Sequence, residues 1–458
     1  MSKLWGGRFS AKAKTDKLAD KFSFSIEYDY RLAKYDVVVS IAHAQMLGKQ
    51  KIISTVDSKK IVSGLQKIGT QIDKGTFQFN PKEEDIHSNI QTVLKKMIGS
   101  AADKLHTARS RNDLIATDMR LYCMEEIKNI IYSIKQLQKA LVTFAENNQD
   151  VIIPAYTHLQ AAQVVTLAHH LLAYVEMLER DCLRLLWAGV GADSLPLGSC
   201  ALSGTSLPID REFVAKKLGF NNITQNSIDG VSDRDFIVDL LSAIATLGMH
   251  YSRICEDMIL WVSAEFDYVR MDSSLCTGSS IMPHKKNPDI TELIRGETAA
   301  LYSNLQRVLV LMKGLPLTYN RDMQLDKPPL FESVEKAKDM TELLTKLFLT
   351  LKVNKARLKE RVNDEYFLTV DIMDYLIQKG ISYRDAHDLV GKMVRDVLDA
   401  GKKLSDLSIA QLKKYSPKFE ADVKKVFNPQ TSVKIKKSFG STNPSLVAKQ
   451  IKKWKKVL

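Results

Sequence analysis

The stretch Ser232–Ala264, SDRDFIVDLLSAIATLGMHYSRICEDMILWVSA, indicates the architecture of the whole chain. Its apolar residues recur in steps of three and four, the spacing of one helix face, and a second apolar series lies beside the first. At ~1.5 Å per residue the helix would be about 50 Å long, well beyond the usual length. One small domain cannot cover so long and so widely apolar a helix, so we predict a multi-helix bundle completed by other subunits. The first series is Phe236, Leu240, Ile244, Leu247, Tyr251, Ile254, Met258 and Trp261, and the second is Ile237, Leu241, Ala245 and Met249.

Other stretches repeat this long helical pattern, and shorter helical patterns lie on either side of them. We therefore predict an all-α fold in three parts. These are an N-terminal helical domain (1–108), a central long-helix bundle and oligomerisation domain (109–358), and a small basic C-terminal helical domain (359–458). The other long helices are predicted at Leu114–Asn147, Gln160–Gly189, Pro288–Gly314 and Pro328–Leu358.

Composition places the chain among globular proteins, with 45% hydrophobic and 26% charged residues in 458. We find no apolar run of the ~18 residues that a membrane helix needs, and no signal peptide at the start. The five cysteines are scattered and never spaced C-x-x-C. This pattern predicts free thiols in a reducing cytoplasm and argues against disulfides or structural zinc.

The formal charge of +13 is concentrated near the C-terminus, where residues 401–458 hold 15 lysines against 3 acidic residues. No helix-turn-helix, RNA-binding or zinc motif accompanies this charge. It therefore indicates a solvated surface, and we expect no nucleic-acid partner and no membrane.

The most unusual polar stretch is Thr277–Asp289, TGSSIMPHKKNPD. Its prolines forbid a continuous helix, while Asn287 and Pro288 suit the cap and first position of the helix that follows. The stretch combines hydroxyl groups, two ammonium groups and an amide next to the positive end of a helix. This combination suits a substrate with several carboxylates, although a plain polar loop is the alternative.

Two further stretches carry groups of the same kind. LHTARSRND (105–113) places Arg109 and Arg111 at a helix start, where paired guanidinium groups suit bidentate carboxylate binding or form a surface ion-pair cluster. IPAYTHLQ (153–160) places Thr157, His158 and Gln160 where we expect the next helix to begin. His158 suits proton transfer near neutral pH, but a lone histidine is more often a core or cap residue. Ser25 with Asp29, and His87 with Asn89, are two further polar spots, in the N-terminal part of the chain. They are candidates for a binding site, and helix capping is the alternative explanation for each.

Together these groups suit one reaction. Removing a proton beside a carboxylate forms a carbanion, which requires a base, a cationic clamp for the developing charge, and an acid for the leaving group. Ser279 is a candidate base, Lys285 and Asn287 a candidate clamp, and His158 a candidate acid that Thr157 and Gln160 help to orient towards the substrate. Arg111 and Asn112 are suited to hold a second carboxylate. This chemistry requires no metal and no organic cofactor.

The motifs resemble those of the argininosuccinate lyase branch of the fumarase/aspartase superfamily over nearly the whole chain. The matching stretches are LWGGRF, HTxRSRND, YTHLQ, GSSIMPxKKNPD, LPLxYNxDxQxDK and SFGST. The resemblance implies a three-domain all-α fold and a cytoplasmic homotetramer whose active sites are each shared by three subunits. It also implies cleavage of argininosuccinate into fumarate and L-arginine.

The resemblance assigns a role to each candidate residue. It makes Ser279 the base and His158 the acid, with Glu292 polarising His158. It places a further set in contact with substrate: Ser25, Asp29, His87, Asn89, Arg111, Asn112, Thr157, Tyr319, Gln324 and Lys327.

Two residues depart from the family pattern. Ala108 stands where glycine is usual, which affects the turn before Arg109, and His284 stands where glutamine is usual. Because His284 is more typical of adenylosuccinate lyases, adenylosuccinate is the alternative substrate. An inactive structural protein of this fold is a second alternative.

Overall fold

The computed structural model describes residues 16–458, so the predicted match at LWGGRF lies outside the described residues. Within this range the chain is mostly helical, as predicted. Its α-helices are α1 (Lys17–Ser23), α2 (Ile26–Asp29), α3 (Ala33–Lys49), α4 (Thr55–Asp73), α5 (Ile86–Ile98), α6 (Arg111–Asn147), α7 (Leu167–Ala192), α8 (Arg211–Leu218), α9 (Ser227–Ser232), α10 (Asp235–Val262), α11 (Asp289–Met312), α12 (Lys327–Thr350), α13 (Lys355–Arg361), α14 (Thr369–Gln378), α15 (Tyr383–Asp399), α16 (Ile409–Tyr415), α17 (Pro429–Ile435) and α18 (Pro444–Val457).

Four two-stranded sheets interrupt the helices among the described residues. β1–β2, β5–β8 and β6–β7 are antiparallel pairs, and β3–β4 is parallel. The strands are β1 (Ile152–Thr157), β2 (Gln160–Thr166), β3 (Ser194–Leu195), β4 (Asn222–Ile223), β5 (Val269–Arg270), β6 (Thr277–Gly278), β7 (Lys286–Asn287) and β8 (Lys352–Val353).

The described chain divides into two compact units. Unit 1 comprises residues 16–131, 182–246 and 299–337, and unit 2 comprises residues 132–181, 247–298 and 338–458. The boundaries fall inside the five long helices α6, α7, α10, α11 and α12, so each of these helices contributes residues to both units.

Burial along α10 follows the predicted pattern. All eight residues of its first apolar series are buried, and in the second series only Met249 is partly exposed, at 37%. Burial of two adjacent faces confirms that this helix lies inside a helical bundle. None of the described helices combines the length and the apolar composition that a membrane crossing requires.

Three of the predicted long helical patterns include a second element in the structure. The pattern at 160–189 begins as strand β2, and only from Leu167 onward is it helical. The pattern at 328–358 ends at Thr350, because Asn354 caps the separate short helix α13 by accepting from the Arg357 amide. The pattern at 232–264 becomes α10 only from Asp235, since Ser232 ends α9 and Asp233 is extended.

The C-terminal part of unit 2 has its own hydrophobic core, built mainly by α14, α15 and α16. Side-chain caps fix several helix starts in this part, including Ser382 on α15 and Asn443 on α18. All five cysteines are free thiols.

Candidate active site

In unit 1, the start of α5 gathers candidate residues from distant parts of the chain. Ser25 Oγ donates to Asp29 Oδ2 at 2.6 Å, and Asp29 Oδ1 accepts from the Ile86 amide at 3.2 Å. Burial raises the pKa of Asp29 to about 6, an effect that the charge of Asp85 reinforces and the Ser25 hydrogen bond opposes. These bonds hold α2 against the N-terminus of α5.

Arg111, the first residue of α6, points its guanidinium group into the same cluster. It donates to Ser88 Oγ at 2.7 Å and lies 3.3 Å from carboxylate oxygens of both Glu84 and Asp85. Its ion pairs are therefore with carboxylates of the chain itself. An incoming substrate carboxylate would have to compete with them for this guanidinium group.

Residues of the 315–329 connection reach the same cluster. Gln324 Nε2 donates to the Ser23 carbonyl at 3.0 Å and to the Tyr28 hydroxyl at 3.1 Å. The buried Lys327 Nζ lies 3.7 Å from Asp326 Oδ1. Burial raises the pKa of Tyr319, against the opposing charge of the neighbouring Arg321.

His87 is fully buried and is paired through Nδ1 with Asp36 of α3. Burial alone would lower the pKa of His87, but the charges of Asp36 and Asp85 outweigh burial and raise it. The imidazolium form is therefore more favoured at this position than in an ordinary histidine.

Asn89 is also buried, and its side chain is committed to the loop before α5. Its Oδ1 accepts from the Asn80 amide at 2.7 Å, and its Nδ2 donates to the Asp85 carbonyl at 3.0 Å. Here the structure supports a local structural role. Asp85 caps α5 by accepting from the Ser88 amide, so neither His87 nor Asn89 is the capping residue.

Asn112 follows Arg111 at the start of α6, and its side chain also has a partner within the chain. Its Nδ2 donates to the Ala201 carbonyl at 3.1 Å.

Asp118 completes a buried group with Asp36 and His87, whose potential metal-ligating atoms all lie within 4.8 Å of one another. Burial, and next the charge of Asp36, raise the pKa of Asp118 well above its usual value. The positive charges of Arg109 and Lys327 act on the same carboxyl group. These two positive charges oppose the rise in the pKa of Asp118 but do not outweigh burial.

In unit 2, the stretch at 152–166 forms a β-hairpin, which corrects the prediction that Thr157, His158 and Gln160 lie at a helix start. Thr157 pairs with Gln160 across a two-residue turn, in which His158 and Leu159 have φ values of 55° and 57°. Two successive positive φ values are typical of a type I′ hairpin turn. The turn projects His158 from an exposed tip.

The stretch Thr277–Asp289 forms a second exposed ribbon in unit 2. β6 pairs with β7, so that Thr277 lies opposite Asn287 and Gly278 opposite Lys286. Helix α11 begins at Asp289, with the Pro288 carbonyl accepting from the Thr291 and Glu292 amides. Asn287 is therefore a strand residue and not the predicted cap, and Pro288 precedes the helix.

Ser279 Oγ accepts hydrogen bonds from two backbone amides, those of Ile281 at 3.3 Å and Met282 at 3.0 Å. Serine often closes a turn in this way. The same two donors would stabilise negative charge on the oxygen if the hydroxyl lost its proton. Glu292 is exposed in the first turn of α11.

The two adjacent lysines of the ribbon have different surroundings. Lys286 Nζ donates to the Met271 carbonyl at 2.6 Å and to Ser273 Oγ at 3.2 Å. Lys285 is exposed, and its Nζ donates no hydrogen bond within the part of the chain that the structure describes. Lys285 therefore has the ammonium group that is available to a ligand.

The structure thus gathers the candidate residues into groups, one in unit 1 and two in unit 2. No hydrogen bond or ion pair within residues 16–458 joins the His158 tip to the Ser279 ribbon. Sequence reasoning missed Glu84, Asp85, Asp36 and Arg321, which hold the unit 1 cluster together. The acidic run Glu83–Asp85, separated from His87 only by Ile86, is the signal that could have revealed two of them.

Comparison with known proteins gives consistent results over the whole chain. A family model described as "Lyase" matches residues 7–301, and one described as "Argininosuccinate lyase C-terminal" matches residues 366–434. A protein of Alkaliphilus metalliredigens named argininosuccinate lyase is 46% identical over 445 residues, covering 97% of this chain and 96% of its own. One from Carboxydothermus hydrogenoformans with the same name is 45% identical over 456 residues and covers 100% of both chains.

This chain belongs to the argininosuccinate lyase family. Among solved structures, that of EDDS lyase in complex with formate resembles it with a TM-score of 0.83 and 26% identity, covering 97% of this chain and 90% of the other. A fumarate lyase:delta crystallin from Brucella melitensis bound to cobalt, 18% identical with a TM-score of 0.72 over 87% of this chain and 92% of the other, shares the fold.

One departure from the argininosuccinate lyase pattern has a visible structural consequence. Ala108 has a φ of 54°, in the left-handed region that glycine occupies without a steric penalty. The alanine therefore strains the backbone just before Arg109. His284 is exposed in the ribbon.

Proposed function

We propose that this chain catalyses the reversible elimination that cleaves argininosuccinate into fumarate and L-arginine, in arginine biosynthesis or a urea cycle. The observation that carries the proposal is the 43–46% identity to proteins named argininosuccinate lyase over nearly the full length of both chains. This identity extends through the C-terminal segment, where residues 366–434 also match the family model described as "Argininosuccinate lyase C-terminal".

Proton abstraction is the first step, and we assign it to Ser279. Its two backbone N–H donors and the nearby Lys285 ammonium group favour the alkoxide that a serine base requires. As the proton leaves, charge moves onto the adjacent substrate carboxylate. The Lys285 ammonium group and the Asn287 amide then stabilise this dianion.

Departure of the nitrogen completes the elimination, and we assign the acid role to His158. Thr157 and Gln160 flank it across the hairpin turn, where their polar side chains can orient the substrate. Glu292 is assigned to polarise the imidazole, so that His158 donates its proton to the leaving guanidino nitrogen.

Substrate binding is assigned to the unit 1 cluster. Arg111 and Asn112 would take the carboxylate that does not react, and His87, whose pKa is raised, would also contact the substrate. The remaining candidate contacts in this cluster are Ser25, Asp29, Asn89, Tyr319, Gln324 and Lys327.

We infer that the chain works as a homotetramer in which each active site takes segments from three subunits. An exposed apolar stripe on α7 supports this inference. Its side chains recur at helical spacing and are 50–73% exposed: Leu183, Leu186, Trp187 and Val190. The exposed positions of the His158 tip and the Ser279 ribbon also suit contact with another subunit. The five free thiols support a cytoplasmic location.

The direct test follows the ultraviolet absorbance of fumarate after purified protein is mixed with argininosuccinate. Adenylosuccinate is assayed in parallel, because His284 motivates that alternative. Turnover of argininosuccinate alone is the expected result. Turnover of adenylosuccinate alone would show that the branch assignment is wrong. Absence of both activities would favour the inactive structural protein.

A further inference from the structure

Two tyrosines connect the hairpin that carries His158 to the segment that leads towards Ser279. The Tyr156 and Tyr268 hydroxyl oxygens lie 2.5 Å apart, within hydrogen-bond distance. Tyr268 is only 2% exposed, and the positive charge of Arg361 on α13 acts on both hydroxyl groups. Burial, and next the bond to Tyr268, raise the pKa of Tyr156 to about 12, so the Tyr156 hydroxyl keeps its proton at physiological pH.

The tyrosine pair is anchored on its α13 side. The Phe266 ring makes edge contacts with both rings, at centroid distances of 5.7 Å to Tyr156 and 5.2 Å to Tyr268. Arg357 of α13 donates to the Glu265 carbonyl at 3.0 Å and to the Phe266 carbonyl at 3.2 Å. The segment around Tyr268 is therefore a fixed support rather than a free loop.

The hairpin tip depends on this support. Its base is secured, since Ile152 and Val164 lie in a buried cluster with Phe367 and the Thr166 amide donates to Thr442 Oγ1 at 2.7 Å. Beyond Tyr156 the residues Thr157–Gln160 are exposed, and the structure gives their side chains no hydrogen bond to the described chain. Tyr156 is thus the last anchored side chain before His158. A β-bulge between Ala155 and Tyr156 directs it to its partner.

We propose that Tyr156 and Tyr268 are positioning residues that fix the orientation of the His158 tip. The inference rests on the proposed role of His158 as the acid. A catalytic group displaced by about 1 Å costs rate by up to about a hundredfold while leaving ground-state binding largely intact. Loss of this hydroxyl contact should therefore lower kcat more than it raises KM.

The test uses Tyr268→Phe and Tyr156→Phe, which keep the rings and remove one oxygen each. The matched control is Tyr383→Phe, since Tyr383 is 68% exposed on α15. We expect kcat to fall about tenfold in each of the first two variants, with KM within about twofold and the control unchanged. Because both variants break the same hydroxyl contact, the double variant should lose less than the product of the two effects.

Hydrogen exchange of residues 152–166, followed by mass spectrometry on the intact assembly, gives a readout that needs no activity. Exchange should quicken there in Tyr268→Phe and Tyr156→Phe, while residues 383–399 exchange as in the wild type. Wild-type exchange at 152–166 in both variants would overturn the proposal. The proposal would also be overturned if the loss of kcat in the double variant equalled the product of the losses in the two single variants. If the wild type cleaves no argininosuccinate, the proposed function fails, and the exchange experiment still decides whether the tyrosines hold the tip.

Discussion

At the scale of single residues, the adjacent lysines of the ribbon show what a sequence cannot distinguish. Both lie in the same motif with the same charge. Only the fold determines that the Lys286 ammonium group is used by the Met271 carbonyl and Ser273 while that of Lys285 is not. The residue types at the site were predictable, but their hydrogen-bond partners depend on contacts from elsewhere in the chain.

The lysine pair gives a matched prediction. Lys285→Ala should lower kcat by about 10²–10³, because it removes a donor to the developing dianion. Lys286→Ala should leave most of kcat and instead weaken the ribbon, seen as faster proteolysis at 277–287. Steady-state kinetics on both variants checks this. Equal loss of kcat in the two variants would contradict the assignment of Lys285 as the clamp.

Ala108 gives a prediction about stability. Because its φ is 54°, Ala108→Gly should relieve the left-handed strain and stabilise the protein by about 1 kcal/mol. The control is Ala299→Gly on an exposed turn of α11, which should instead destabilise by about 1 kcal/mol. Denaturant unfolding measures both. A destabilised Ala108→Gly protein would show that the turn is not strained.

Asp113 gives a prediction about pH. It is fully buried, and burial raises its pKa to about 6 although the Gly198, Ser110 and Cys200 amides donate to it. A raised pKa means that the folded state holds the proton more tightly, so its stabilisation is present below about pH 4 and lost as pH rises through about 6. Relative to Asp113→Asn, the wild type should lose about 2 kcal/mol of unfolding free energy between pH 4 and pH 7. A difference between the two proteins that does not change with pH would refute this.

At the scale of elements, long regular helices were predictable and the hairpin was not. The helical spacing in α10 repeats over many turns, so the pattern leaves little ambiguity. In the hairpin, Val164, Val165 and Thr166 suit a strand as well as a helix. Its turn also lacks the Asn-Gly or Gly residues that usually reveal a type I′ turn. Tertiary packing against Val362 and Phe367 stabilises the hairpin, and that packing is invisible in the local sequence.

The hairpin turn determines how His158 is best tested. His158→Asn should lower kcat strongly while preserving the fold, because asparagine tolerates the positive φ that the turn requires. Leu159→Gly is the control, since it retains the turn and the imidazole and should keep activity near that of the wild type. Kinetics together with light scattering measures both effects. Dissociation of His158→Asn into monomers would favour a structural role for the histidine.

At the scale of the whole molecule, composition and helix length predicted the fold class and the need for partner subunits. The three-domain division at 108 and 358 stays a prediction. What the sequence could not give is which segments of one subunit meet those of another, since that depends on the packing of several copies. The exposed α7 stripe, the exposed His158 tip and the exposed ribbon agree with such an assembly.

Mixing two inactive variants tests most directly whether one active site is built from different subunits. His158→Asn and Lys285→Ala proteins are dissociated together, reassociated, and assayed for fumarate release from argininosuccinate. If the two residues come from different subunits, random mixing restores about a quarter of the sites, giving about a quarter of wild-type activity. If the mixture stays as inactive as its two components although mixed assemblies form, the shared-site account is contradicted.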